Sequence, residues 1–440
     1  AQLKDSGADV IIVFEAFAHV LQQVDPAVQP GYQVVVPAGA LQPALKGWLI
    51  NAVAKHIKKR VPVWDLPGAL SFNQALSLGR GEKFEPPKLL PEDTAILQYT
   101  GGTTGEPRGA MLSHRNIVAN ILQIEEVAEP ALGDLMPQPL TMLTALPLYH
   151  VFAMTVCAFY ALHKGMRIVL VINARDLPAL TAIWKKESPH IFPAVNTLFA
   201  ALLRHEPFRQ LDFSRLRISL GGGMAVHPLV AAKWQTLTGK TIIEGYGMSE
   251  TAPVICANPT DASTFSATVG LPLPDTSILI LDDEQGLVPD GEVGEIAVKG
   301  PQVMQGYWQA PEATKACLTA QGYLLTGDMG LRDEQGHIKI VDRKKDMVVV
   351  SGFNVYPAEV DAVFASHPDV LDCAAVGVSD DTTGQAVRLF VVAANAQITE
   401  QALLEWCKDK LTGYKRPRTI VFVDTLPKNP VGKTLRRLLA

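Results

Sequence analysis

Tyr99–Ala110 reads YTGGTTGEPRGA. The apolar run Ala95–Tyr99 leads into it as a strand pattern, and a helical pattern starts near His114. Gly101, Gly102 and Gly105 allow tight backbone turns, while Thr100, Thr103 and Thr104 add hydroxyl donors. A loop of this kind can wrap a polyphosphate with amides and hydroxyls. It is not a Walker A loop, since no G-x-x-x-x-G-K-[ST] is present. A plain Gly/Thr turn is the competing reading.

Outward from this loop, short apolar runs alternate with helical patterns. Val10–Phe14, Gln33–Pro37, Met142–Leu146, Arg167–Val171 and Arg217–Leu220 read as strands, and Ile117–Val127, Leu177–Glu187 and Pro228–Leu237 as helices. The alternation predicts an α/β fold, a large N-terminal region of mixed sheets covered by helices. After Asn258 glycine and proline rise, and runs such as Ser277–Leu281 and Gly294–Lys299 predict a β-rich subdomain over 259–343. Beyond the charge cluster VDRKKDM (Val341–Met347), Pro357–Ala365 and Glu400–Leu411 read as helices and Cys373–Val378 and Arg388–Val392 as strands. The domains are therefore set at 1–343 and 344–440, the second a small α+β unit.

The chain has 440 residues, 48% of them hydrophobic, and a net charge of −5. That balance argues against nucleic acid as a partner. Cys157, Cys256, Cys317, Cys373 and Cys407 are scattered, with no C-x-x-C, which reads as buried reduced thiols and a cytoplasmic protein. The opening AQLKDSGADVIIVF has no signal-peptide pattern, and the apolar run near Val151–Leu162 is too short to span a bilayer. Leu41–Arg60 places Trp48, Leu49, Val53 and Ile57 at helical spacing, with Lys55, Lys58, Lys59 and Arg60 at one end. It reads either as an ordinary surface helix or as a helix lying on the inner face of a membrane.

Two further segments carry chemistry. In GYGMSET (Gly245–Thr251), Tyr246 offers a flat face for a base, Ser249 a hydroxyl, and Glu250 a hard oxygen for Mg²⁺. GGGM (Gly221–Met224) would let a planar ring approach backbone closely. Alone, each is as well read as a structural turn.

With LPLYH (Leu146–His150), TGD (Thr326–Asp328), VDRKKDMVVVSGFNVYP (Val341–Pro357) and PKNPVGKTLRR (Pro427–Arg437), these segments resemble the adenylate-forming superfamily of acyl-CoA synthetases. The wording of YTGGTTG, GFNVYP and LTGYKRP is most similar to bacterial long-chain-fatty-acid–CoA ligases. The resemblance implies ATP, a fatty acid and coenzyme A as partners, with an acyl-AMP intermediate and Mg²⁺ carried with ATP. It implies that Thr100, Gly101, Gly102, Thr103, Thr104 and Gly105 cradle phosphates, and that Thr100 and Glu250 hold Mg²⁺. Gly221, Gly222 and Gly223 would enclose adenine with Gly245, Tyr246 and Gly247, beside Ser249. Asp328 and Arg343 would bind the ribose, and Lys433 would be the catalytic lysine, on a glycine-containing loop of a mobile C-terminal lid. Lys345 is the implied hinge, Ser351, Gly352 and Phe353 the implied CoA face, and His150 the implied gate between acyl and nucleotide pockets. A homodimer stays open, since the sequence does not give the oligomeric state. Arg108 stands where the family usually has lysine. The family also implies a further N-terminal portion of the large domain ahead of this sequence, so a fragment or an impaired binder stays open. So do a medium-chain or aryl acid–CoA ligase and a non-catalytic sensor.

Overall fold

The computed structural model describes residues 1–100, 107–135, 138–395, 397–429 and 432–439. The chain packs as two units, one of residues 1–93 and 99–109, the other of 94–98 and 110–440.

The first unit holds a parallel three-stranded sheet, Val10–Phe14, Tyr32–Val36 and Leu70–Ser71. Its small core is Ala18, Leu21, Val35 and Leu66. Alternation puts Val10, Ile12 and Phe14 on one face of the first strand, and all three are exposed. The Leu41–Arg60 segment is helical over Ala44–Ala52 and continues as a wider turn over Val53–Ile57. Leu45, Trp48, Leu49 and Ile57 are exposed, so the apolar stripe faces outward instead of into the unit.

The second unit is built on a seven-stranded sheet. Its order is Leu271–Pro272, Val254–Ala257, Ile242–Gly247, Ile218–Gly221, Ile191–Ala194, Thr141–Thr144 and Arg167–Leu170. The last five are parallel and the first two antiparallel. Thr141–Thr144 and Ile191–Ala194 are buried throughout, as central parallel strands covered on both faces must be. One cover is the helix His114–Leu132, started by a capping box in which Ser113 and Asn116 bond reciprocally. The other face is closed by an aromatic cluster of Trp184, Phe192, Phe199, Phe208, Phe213 and Trp234. The β-rich part is a four-stranded antiparallel sheet, Ser277–Leu281, Gly294–Lys299, Leu324–Arg332 and Ile338–Arg343. After the turn Lys344–Asp346, a five-stranded sheet packs under the helices Pro357–Ala365 and Glu400–Cys407 around a core of its own.

The mixed α/β architecture with a C-terminal α+β region matches the sequence reading. Ile191–Ala194 was not among the expected strands, because Pro193 argues against a central strand. It is tolerated because only Ile191 pairs, with Met142, on the Thr141–Thr144 side. Four cysteines are buried, while Cys317 is only partly so, a correction to the expectation for all five. Among the described residues no helix is long and apolar enough to cross a membrane.

Candidate active site

The site of the second unit forms where the ends of parallel strands meet the β-rich sheet. Asp328 and Arg343 are direct partners on adjacent antiparallel strands. Register therefore brings their side chains together, and Arg343 Nε lies 2.7 Å from Asp328 Oδ1. Tyr246, at the end of the Ile242–Gly247 strand, donates its hydroxyl to Asp328 Oδ2 at 2.6 Å. Burial and the neighbouring Asp328 carboxylate push the Tyr246 phenol well up, so it stays a donor. Asp328 is 3% exposed, and its main-chain N–H donates to Thr326 Oγ1 at 3.1 Å.

The glycine segments flank this group. Gly221 ends its strand, and Gly222 packs so that an added Cβ would come within 3.0 Å of the Phe152 ring. Gly223 follows at φ +76°, a left-handed conformation that favours glycine. At Gly247 a Cβ would meet the Pro253 carbonyl oxygen at 2.0 Å, so only glycine fits the crossing with the next strand. Beneath them, the buried Glu244 accepts from Val226 N at 2.8 Å and so fixes the chain just past the triple glycine. Burial pushes Glu244 up to about 7.

Ser249 and Glu250 sit in the short turn Ser249–Thr251. Glu250 is buried, and Tyr307 donates its hydroxyl to Glu250 Oε1 at 2.7 Å. Sequence reasoning missed Tyr307, which lies in no motif quoted for the site. Among the described residues no group of three or more metal-binding side chains occurs. Glu250 is the side chain of this turn whose hard oxygens suit Mg²⁺.

Lys433 is held by a hairpin near the C-terminus. Asn429 N donates to the Lys433 carbonyl at 2.9 Å, and Lys433 N donates to Asn429 Oδ1 at 2.8 Å. Its ammonium is buried and lies in the field of Arg343, Asp328, Asp346 and Lys345. Burial first, then Arg343, pushes it down to about 8. Next to it, Gly432 approaches Thr197, where an added Cβ would sit 3.0 Å from Oγ1. His150 is brought to the same place: burial and then the Lys433 charge hold it below the usual histidine range. Asp328, Arg343, Tyr246, Lys433 and His150 thus converge.

Lys345 lies exposed in the connecting turn, and partial desolvation, then Arg343, hold its ammonium below the usual lysine range. Its neighbour Lys344 is tied to the β-rich sheet through Asp283 at 2.8 Å and Glu295 at 3.0 Å. Ser351 and Gly352 form an exposed turn with positive φ at both residues, and Phe353 stacks on Tyr414 at 4.8 Å. Thr100 belongs to the first unit, where its hydroxyl reaches the Arg108 carbonyl at 3.5 Å. Gly101, Gly102, Thr103, Thr104 and Gly105 lie outside the described residues.

A helix-covered parallel sheet, a strand-paired Asp–Arg couple with a tyrosine, and a lysine from the C-terminal region of the same unit define a nucleotide-using enzyme. The chain belongs to the AMP-binding enzyme family: that family matches residues 1–308, and the AMP-binding enzyme C-terminal domain matches residues 359–433. It is 46% identical over 438 residues to the long-chain-fatty-acid–CoA ligase of Escherichia coli O6:H1, covering 100% of this chain and 77% of that protein. The long-chain-fatty-acid–CoA ligase of Yersinia pestis is 47% identical over 441 residues, with the same coverage. Among solved structures, the anthranilate CoA ligase AuaEII in complex with anthranoyl-AMP is similar with a TM-score of 0.82, at 25% identity. That match covers 100% of this chain and 78% of the other.

Proposed function

We propose that this chain joins a long-chain fatty acid to coenzyme A at the expense of ATP, through an acyl-AMP. The observation that carries the reading is the placement of Lys433, half-buried in the field of the Asp328–Arg343 couple. A carboxylate oxygen of the acid attacks the α-phosphorus, and the bond to the β-phosphate oxygen breaks to release pyrophosphate. The CoA thiol then attacks the acyl carbon and AMP leaves, its proton going to solvent. Nothing here needs a covalent protein nucleophile; the protein positions anions and offsets their repulsion.

Asp328 and Arg343 hold the ribose, and the Gly221–Gly223 and Gly245–Gly247 segments with Tyr246 enclose the base. Lys433 bridges the carboxylate and the α-phosphate. Thr100–Gly105 takes the outer phosphates on the strength of its sequence. Thr100 and Glu250 would hold Mg²⁺ carried with ATP, and the ion would supply positive charge to offset that of the phosphates. Residues 344–440 act as the lid, turning about Lys345 so that Ser351–Phe353 replaces Lys433 for the second half-reaction. Within the apolar run that starts at Val151, Val151, Ala153, Val156 and Cys157 are buried in the core. The half-buried Phe152, Met154 and Phe159 are the side chains left to meet a chain, with His150 at the nucleotide end.

The test is acid-dependent ATP–pyrophosphate exchange across octanoate, palmitate, oleate and benzoate, with and without EDTA. Palmitate or oleate is expected to give the fastest exchange, and EDTA to abolish it. Best activity on benzoate would overturn the fatty-acid reading.

The exposed Leu45, Trp48, Leu49 and Ile57 beside Lys55, Lys58, Lys59 and Arg60 support peripheral membrane contact on the cytoplasmic side. Flotation with anionic vesicles is expected to carry the protein upward, and Trp48→Ser with Ile57→Ser to abolish this. Equal flotation of both proteins would remove the assignment.

A further inference from the structure

The lid helix Pro357–Ala365 starts without a cap of its own. Its N-cap residue is Tyr356, whose side chain makes no capping bond. Pro357 has no N–H, so Ala358 supplies the first free amide. That amide donates to Asp342 Oδ2 at 2.6 Å. Asp342 stands in the Ile338–Arg343 strand, before the Lys344–Asp346 turn that contains Lys345. The capping carboxylate and the helix it caps therefore lie on opposite sides of the hinge.

The surroundings make this contact specific. Asp342 is 6% exposed, and its other oxygen accepts from Arg343 N at 2.7 Å. Arg436, soon after Lys433 in the chain, pairs with Asp361 on the same lid helix and donates to the Ala375 carbonyl at 3.1 Å. Its charge attracts Asp342 and Asp346 as well. Asp342 thus faces two groups of the lid, the end of one helix and the guanidinium that anchors the Lys433 segment.

We infer that Asp342 is a positioning residue for adenylation: it caps the lid helix only in the orientation that brings Lys433 to Asp328 and Arg343. Rotation about Lys345 carries Ala358 away and returns Asp342 to water. A contact present in one of two states weights that state by its own strength. An N-cap of ordinary strength weights it about fivefold to tenfold. This assignment rests on the two-step reading above.

The experiment measures both half-reactions separately, pyrophosphate exchange with fatty acid and ATP, and thioester formation from supplied acyl-AMP and CoA. Asp342→Ala is expected to lower exchange about fivefold to tenfold while thioester formation holds or rises. Tyr356→Ser added to Asp342→Ala gives the helix a cap from within the lid. Thermal stability is then expected to recover while exchange stays low. Recovery of exchange together with stability, or an equal fall of both half-reactions in Asp342→Ala, would overturn the assignment. Absence of exchange in the unaltered chain with every fatty acid would overturn the two-step reading and this assignment with it.

Discussion

Lys433→Ala is expected to lower adenylation by about two to three orders of magnitude, the usual cost of removing one donor aimed at developing charge. Thioester formation from supplied acyl-AMP is expected to continue at the original rate, because the proposed mechanism uses the lysine only in the first step. Pyrophosphate exchange and single-turnover thioester formation read the two halves. Unchanged exchange would remove the lysine from its assigned role. Parallel loss of both halves would show that the variant had damaged the fold rather than the step.

The same side chain sets a pH dependence. In the free enzyme burial holds Lys433 at about 8 instead of 10.5. The ammonium is the active form, so kcat/KM for adenylation should fall as pH rises through about 8. Lys433→Arg should remove that limb, since guanidinium stays charged. Stability runs the other way. The folded pKa lies below the unfolded one, so the unfolded chain binds more protons between about 8 and 10.5, and folding strengthens with pH across that window. Lys433→Met should flatten this rise in a melting series and be no less stable than the parent at neutral pH, a trade of activity for stability.

Much of the architecture was legible because parallel strands buried on both faces leave uninterrupted apolar runs. Val10–Phe14, an apolar run none of whose residues is buried, was read to the residue as well, and so was Leu177–Glu187, opened by Asp176 accepting from Ala179 N at 3.1 Å. Ile191–Ala194 was hidden by its proline. The residues of the candidate site were legible as motif letters, yet their partners were not. Nothing local in the sequence pairs Tyr307 with Glu250, Asp342 with Ala358, or Arg436 with Asp361, since each pair joins elements brought together only by the fold. The Leu41–Arg60 segment was left between two readings, an ordinary surface helix and a membrane-surface helix, because periodicity shows that a stripe exists and not which side it faces.

Asp328→Ala should produce the largest change in nucleotide affinity. A carboxylate has about four lone-pair sites. Tyr246 and Arg343 take one on each oxygen, at 2.6 Å and 2.7 Å, which leaves one on each for the two ribose hydroxyls. Hydrogen bonds to a charged acceptor contribute about 1.5–3 kcal/mol each, so losing two raises the ATP KM by about two orders of magnitude or more. Tyr246→Phe is the control, because it removes a donor to Asp328 while leaving both ribose sites in place, and its ATP KM should change far less. Discrimination between ATP and 3′-deoxy-ATP isolates the contact itself: the parent should prefer ATP, and Asp328→Ala should not tell the two apart. If the alanine variant still discriminates, the ribose is read by another group, and Asp328 serves only to tie its own sheet to Tyr246 of the other.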